Sequence, residues 1–242
     1  MTVGGFEKVA DILTGKRNPR IAVIGGSTSA LTTIALLLKR QPGLPLGAGA
    51  ITLLHRRPLR PFYHSVEAAH AEGFTDFGPD DICPVSGFVY RLAGFRLEAR
   101  DLVLRMLRVD GRAPDPRVAL HRIAGDDDAA ARTIIEEADL VIAALGYRPI
   151  AVPIADRDRL PIPLAAQDGK PMVDRHCRIV DGDGAPIAGL YGLGLAAGFV
   201  PWGPLGGEPS FSGQANGLWL WQNDVGLMIV DQVMASQVMA AA

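Results

Sequence analysis

The sequence predicts an α/β protein: a Rossmann-like parallel sheet with flanking helices, followed by a C-terminal segment of different character. Three observations carry this expectation. Short apolar runs at IAVIG (21–25), ITLLH (51–55) and DLVIAAL (139–145) read as strands covered on both faces. Stretches with apolar residues at helical spacing lie between them. The first run breaks at Gly25 into small residues and resumes as a helix, the pattern of a β-turn-α unit.

Taken in order, FEKVADILT (6–14) reads as a short helix closed by Gly15, and KRNPR leads into the first strand. A helix with a basic end is expected over 29–40, and QPGLPLGAGA cannot continue it because its Pro and Gly residues break the pattern. The second strand is 51–55. A short helix is expected over 65–71, bounded by Pro and Gly, and another over 96–108, where charges alternate with apolar residues. VALHRI (118–123) reads as a strand, GDDD as an acidic helix start, AAARTIIEEA as the helix, and 139–145 as a buried strand ending at Gly146. Proline density then rises, which marks a boundary near residue 150. Two strands are expected around a tight turn at 181–184, then a Gly/Pro-rich loop and a long helix over 214–234.

With 242 residues and 48% hydrophobic composition the chain is large enough to bury a core. The 24 basic and 26 acidic residues leave a net charge of −2 and no extended cationic block, which argues against a nucleic-acid partner. Cys83 and Cys177 form no paired motif and read as buried structural thiols. The five histidines show no tight ligand spacing, so no metal is expected. The N-terminus has no uninterrupted apolar core, and VGLMIVDQVM is short and carries Asp231. A soluble cytoplasmic protein without membrane contact is expected.

The turn is the chemically informative stretch. A dinucleotide fingerprint needs a tight turn, close backbone approach to a pyrophosphate, and a helix whose first amides and dipole face the phosphates. Gly25 and Gly26 suit the turn, Ser27 stands where a bare glycine is preferred, Thr28 and Ser29 follow, and Ala30 is small enough for helix-on-strand packing. A β-carbon at Ser27 pushes a phosphate outward, while its hydroxyl can donate to one. At the end of the second strand, His55-Arg56-Arg57 replaces the acid that holds a ribose 2′-hydroxyl; arginine suits the 2′-phosphate of NADP, and no acid competes there. Two plainer readings stand beside this: glycines favour any buried βα junction, and basic residues often end strands. A third is a serine hydrolase, since Gly25-Gly26-Ser27-Thr28-Ser29 differs by one residue from a nucleophile elbow, although few strands precede it.

VIGGSTSALTTIALLLKR, ITLLHRRP, ADLVIAALGYRP and IAGLYGLGLAAG, in that order, resemble the two-dinucleotide-domain flavoprotein oxidoreductases, nearest the NADPH-dependent flavin monooxygenases and their amine N-hydroxylase group. The resemblance covers about residues 20–235. It implies a lead-in helix over 1–20, an NADP-binding domain over 21–150 and, over 151–242, strands and a helix that close an FAD domain. It places Gly25, Gly26, Ser27, Thr28, Ser29 and Ala30 at the pyrophosphate, with His55, Arg56 and Arg57 at the 2′-phosphate end. Ala144, Leu145, Gly146 and Tyr147 match an Ala-Thr-Gly-Tyr strand end near both cofactors, with Leu145 in place of Thr. In the closing segment Gly194-Leu195 stands where many relatives have Gly-Asp.

The same resemblance places the FAD fingerprint well upstream of Gly25, beyond the twenty-four residues that precede it here. It therefore implies an FAD half supplied by a partner chain, a longer flavoprotein, or a shortened homologue with another task. Two readings stay open: an NADP(H)-dependent oxidoreductase acting on a small molecule, with no catalytic acid or base assigned, and a non-catalytic module that self-associates. For the second, the apolar helix with Trp219, Trp221, Leu227, Met228 and Val230 is the candidate interface of a homo-oligomer.

Overall fold

The computed structural model describes residues 3–39, 43–146, 152–165, 171–194, 197–213 and 220–241. The chain forms two compact units, Met1–Asp76 with Gly94–Gly146, and Phe77–Ala93 with Tyr147–Ala242.

The first unit is a Rossmann-like α/β fold. Its strands β1 (Ile21–Ile24), β2 (Ile51–His55), β3 (Val118–Arg122) and β4 (Leu140–Ala143) are all parallel, in the order β3-β2-β1-β4. Alternate side chains explain why β1 is wholly apolar and why β2 is apolar apart from Thr52 and His55. Ile21, Val23, Ile51 and Leu53 face a core built with Phe6, Val9 and Leu13 of α1 (Val3–Leu13). Leu31 and Ile34 of α2 (Thr28–Lys39) and Leu102 and Val103 of α4 (Leu97–Met106) complete that core. Ala22 and Leu54 face the opposite side, where α5 (Ala129–Glu136) supplies Ala131. Each fully buried Leu or Ile here contributes about 1.5–3 kcal/mol through removal of apolar surface from water.

Between β2 and α4 lies α3 (Val66–Ala71), started by Ser65, whose Oγ accepts the Ala68 N–H at 3.1 Å. The acidic start expected before α5 is Asp128, which accepts the Ala131 N–H at 2.9 Å.

In the second unit, β5 (Arg178–Val180) and β6 (Pro186–Tyr191) form an antiparallel hairpin. Its turn is held by Asp181, whose Oδ1 accepts the N–H groups of Asp183 at 3.1 Å and Ala185 at 2.8 Å. Leu164, Cys177, Phe199, Leu220 and Val225 form the core. The long helix expected over 214–234 lies partly outside the described residues; what is seen is one π-helical turn (Trp221–Val225) continuing into α6 (Gly226–Ala241). Gly226 permits that turn, because a β-carbon there would stand 2.8 Å from the Trp221 carbonyl oxygen.

Phe77–Ala93 joins this unit through polar anchors. The buried Glu208 carboxylate accepts the N–H groups of Leu92 at 2.9 Å and Ala93 at 2.7 Å, Arg91 pairs with Asp224 at 2.9 Å, and Ser210 donates to Asp81 at 2.6 Å. Among the described residues no helix is long and apolar enough to cross a membrane.

Candidate functional site

The C-terminal ends of three neighbouring strands meet at one edge of the sheet. Beyond β1, the Gly25 N–H donates to the Leu54 carbonyl at 2.9 Å; beyond β4, the Ala144 N–H donates to the Ile24 carbonyl at 2.8 Å. Gly25 has φ +142°, and a β-carbon there would come within 2.2 Å of the Ala144 oxygen. Any other residue would therefore be excluded twice, by its backbone angle and by space. At Gly26 a β-carbon would approach the Cβ of His55 at 3.3 Å, so the turn lies close over the end of β2.

The chain then enters α2. The Ser27 carbonyl accepts the N–H groups of Ala30 at 3.0 Å and Leu31 at 3.3 Å, which fixes the first turn. Ala30 is fully buried in the core below, while Gly26, Ser27, Thr28 and Ser29 are all exposed. The mouth of the helix is thus open to solvent, and its dipole favours an anion there. This arrangement fits a dinucleotide pyrophosphate: open mouth, glycine at the tight approach, small residue at the packing contact.

At the end of β2 the three expected residues part company. His55 is buried, and its Nδ1–H donates to the Arg57 carbonyl at 2.8 Å, so the ring shapes the strand end instead of facing solvent. Arg56 and Arg57 are exposed. The expectation that no acid competes at this end needs correction: Arg56 Nη2 lies 2.8 Å from Asp126 Oδ1, an ion pair across to the loop between β3 and α5. Neither partner is near the other in sequence; only the pairing of β2 with β3 brings them together. That pairing also sets Arg122, another exposed cation, opposite His55.

Of the strand-end residues after β4, Ala144 sits beneath Gly25, and Leu145 and Gly146 are exposed, Gly146 with φ +86° and open space at its α-carbon. Tyr147 lies outside the described residues, as do Leu195 and Trp219. Gly194 belongs to the second unit, with φ +83° and open space around it.

In that second unit Trp202 is engaged with its own neighbours: its Nε1–H donates to the Arg175 carbonyl at 2.6 Å, and the His176 ring meets it edge-on. Both cysteines are free and fully buried. Burial pushes the Cys83 thiol up, but hydrogen bonds from Ser86, the Gly207 N–H at 3.3 Å and Arg91 at 3.6 Å outweigh it and draw its pKa down to about 7. Burial, aided by the Asp174 carboxylate, pushes Cys177 up to about 12. Among the described residues no three His, Cys, Asp or Glu side chains are grouped to hold a metal ion.

No family model matches this sequence. No solved structure matches it. The chain is 33% identical over 223 residues to CMP-5'-(3-aminopropyl)phosphonate hydroxylase of Streptomyces rubellomurinus; the alignment takes in 89% of this chain and 50% of that protein. The chain thus spans about half the length of the curated relative it matches.

Proposed function

We propose that this chain is the NADP(H)-binding portion of an oxygenase-type oxidoreductase of the flavin monooxygenase kind, acting on a small amine-bearing molecule. The observation that carries the reading is that the open α2 mouth at Gly26–Ser29, beyond β1, lies beside the end of the paired strand β2, which carries the exposed Arg56 and Arg57. The likeness to a hydroxylase whose named substrate bears an aminopropyl group supports the reaction class and the substrate class.

When bound, NADPH supplies a hydride and a flavin supplies the oxygen-activating centre. The work of these residues is to bind and orient. Amides at the start of α2, with the Ser27 and Ser29 hydroxyls, hold the pyrophosphate. Arg56 and Arg57 recognise the 2′-phosphate by charge and forked geometry. Gly25, with no β-carbon, would let a phosphate approach the backbone of the turn closely.

Calorimetric titration of NADPH and NADH into the purified chain tests this reading. The expected result is that NADPH binds more tightly than NADH and that Arg56→Ala and Arg57→Ala each reduce that preference. Absence of binding, or a preference that survives both substitutions, overturns the reading.

A second reading rests on α6. Its Leu227, Val230 and Met234 are exposed although apolar, which suits a helix that covers itself against another copy. A concentration-dependent oligomer with no affinity for either dinucleotide would favour a non-catalytic, self-associating module.

A further inference from the structure

Asp126 is not placed beside Arg56 by chance of a flexible loop. The β2–β3 ladder runs to the last residue of each strand, His55 opposite Arg122, and is extended by the Ile123 N–H donating to the His55 carbonyl at 2.9 Å. The loop that follows is fixed from within. Asp128 Oδ2 accepts the Ala124 N–H at 3.0 Å and faces His121 Nε2 at 2.9 Å, while its Oδ1 accepts the Ala131 N–H at 2.9 Å. Arg132 donates to the Asp126 carbonyl at 3.0 Å and to Asp127 Oδ1 at 3.0 Å. With its backbone held on both sides, Asp126 has one carboxylate directed to the guanidinium at the end of β2.

From this geometry we infer that Asp126 is an internal counter-ion for Arg56 that the 2′-phosphate of a dinucleotide must displace, and so sets how strongly the site prefers NADP(H) over NAD(H). The inference rests on the NADP(H) reading above. Two anions compete for one guanidinium: the carboxylate, tethered and always present, and the dianionic phosphate, which brings more charge and more acceptor oxygens. Both partners of the ion pair are largely exposed, with side chains 70% and 88% accessible, so displacement is cheap and strongly screened by salt. Asp127, the adjacent acid, points to Arg132 and should take no part.

The probes are adenosine 2′,5′-bisphosphate and 5′-AMP, which differ only in the 2′-phosphate, titrated by calorimetry at low salt. Asp126→Asn should tighten the bisphosphate about two- to fivefold and leave 5′-AMP unchanged. Asp127→Asn, which removes the same charge next door, should leave the ratio of the two affinities as it is. The Asp126→Asn gain should vanish in an Arg56→Gln background and at high salt. A wild-type chain that prefers the bisphosphate, with a ratio unaltered by Asp126→Asn or altered equally by Asp127→Asn, overturns this inference and leaves the NADP(H) reading standing. A wild-type chain that binds neither probe, or both alike, overturns that reading and this inference with it.

Discussion

The α-carbon of Gly25 faces the backbone carbonyl of Ala144 so closely that a methyl group there would stand 2.2 Å from the oxygen. Its φ of +142° adds a backbone penalty for any L side chain. Gly25→Ala therefore loses about 2–4 kcal/mol, because either the β1 turn or the end of β4 must move. Gly26→Ala meets the His55 Cβ at 3.3 Å and the Arg57 carbonyl oxygen only at 4.0 Å, and loses about 1 kcal/mol or less. Urea denaturation of the two variants side by side checks this. Equal midpoints would show that the close approach at Gly25 does not govern stability.

The central strands β1 and β2 were legible because strands covered on both faces are largely apolar. The expectation of a strand buried on both faces over 139–145 is corrected: β4 leaves alternate residues exposed, Val141 among them, and β3 does the same. Residues 51–55 read as a strand and form one, while 21–25, 118–123 and 139–145 contain the shorter β1, β3 and β4. Gly25 is the reason the first is shorter: the ladder bond to Leu54 persists, but the backbone turns. The turn, the mouth of α2 and the arginines at the end of β2 were legible as local patterns. Asp126 was not, since its approach to Arg56 depends on the pairing of β2 with β3, to which no local signal points. The attachment of Phe77–Ala93 to the second unit was hidden for the same reason. It depends on single polar side chains such as Glu208 and Asp224, each more than a hundred residues from its partner.

Glu208 illustrates how much such an anchor carries. Only 3% of it is exposed, and its two oxygens accept the Leu92 and Ala93 amides. Removing the carboxylate leaves the buried Leu92 N–H and the half-buried Ala93 N–H without acceptors, at a cost of about 1–3 kcal/mol for the buried one. Glu208→Ala should therefore destabilise the second unit by about 2–4 kcal/mol, and Glu208→Gln, which keeps one acceptor oxygen, by roughly half of that. Hydrogen exchange at Leu92 and Ala93 reports the effect locally. Unchanged protection of both amides in Glu208→Ala would refute the assignment.

The two buried thiols should move stability in opposite directions with pH. The ordinary thiol value is 9.0, and Cys83 in the folded chain sits at about 7. Between pH 7 and 9 the unfolded chain therefore holds a proton that the folded chain has released, so stability rises with pH, is fully gained above 9 and is lost as pH falls through 7. Cys177, held at about 12, behaves in reverse: above pH 9 the unfolded thiol ionises while the folded one stays neutral, and stability falls. Comparing each variant with the parent at every pH cancels the other titrating groups. Cys83→Ser should lose the rise between pH 7 and 9 and leave the alkaline limb unchanged, whereas Cys177→Ala should soften the fall above 9. Urea midpoints measured from pH 6 to 10 decide the matter: parent and Cys83→Ser curves that run parallel from 7 to 9 would mean the Cys83 sulfur gains nothing from Arg91 and the Gly207 amide.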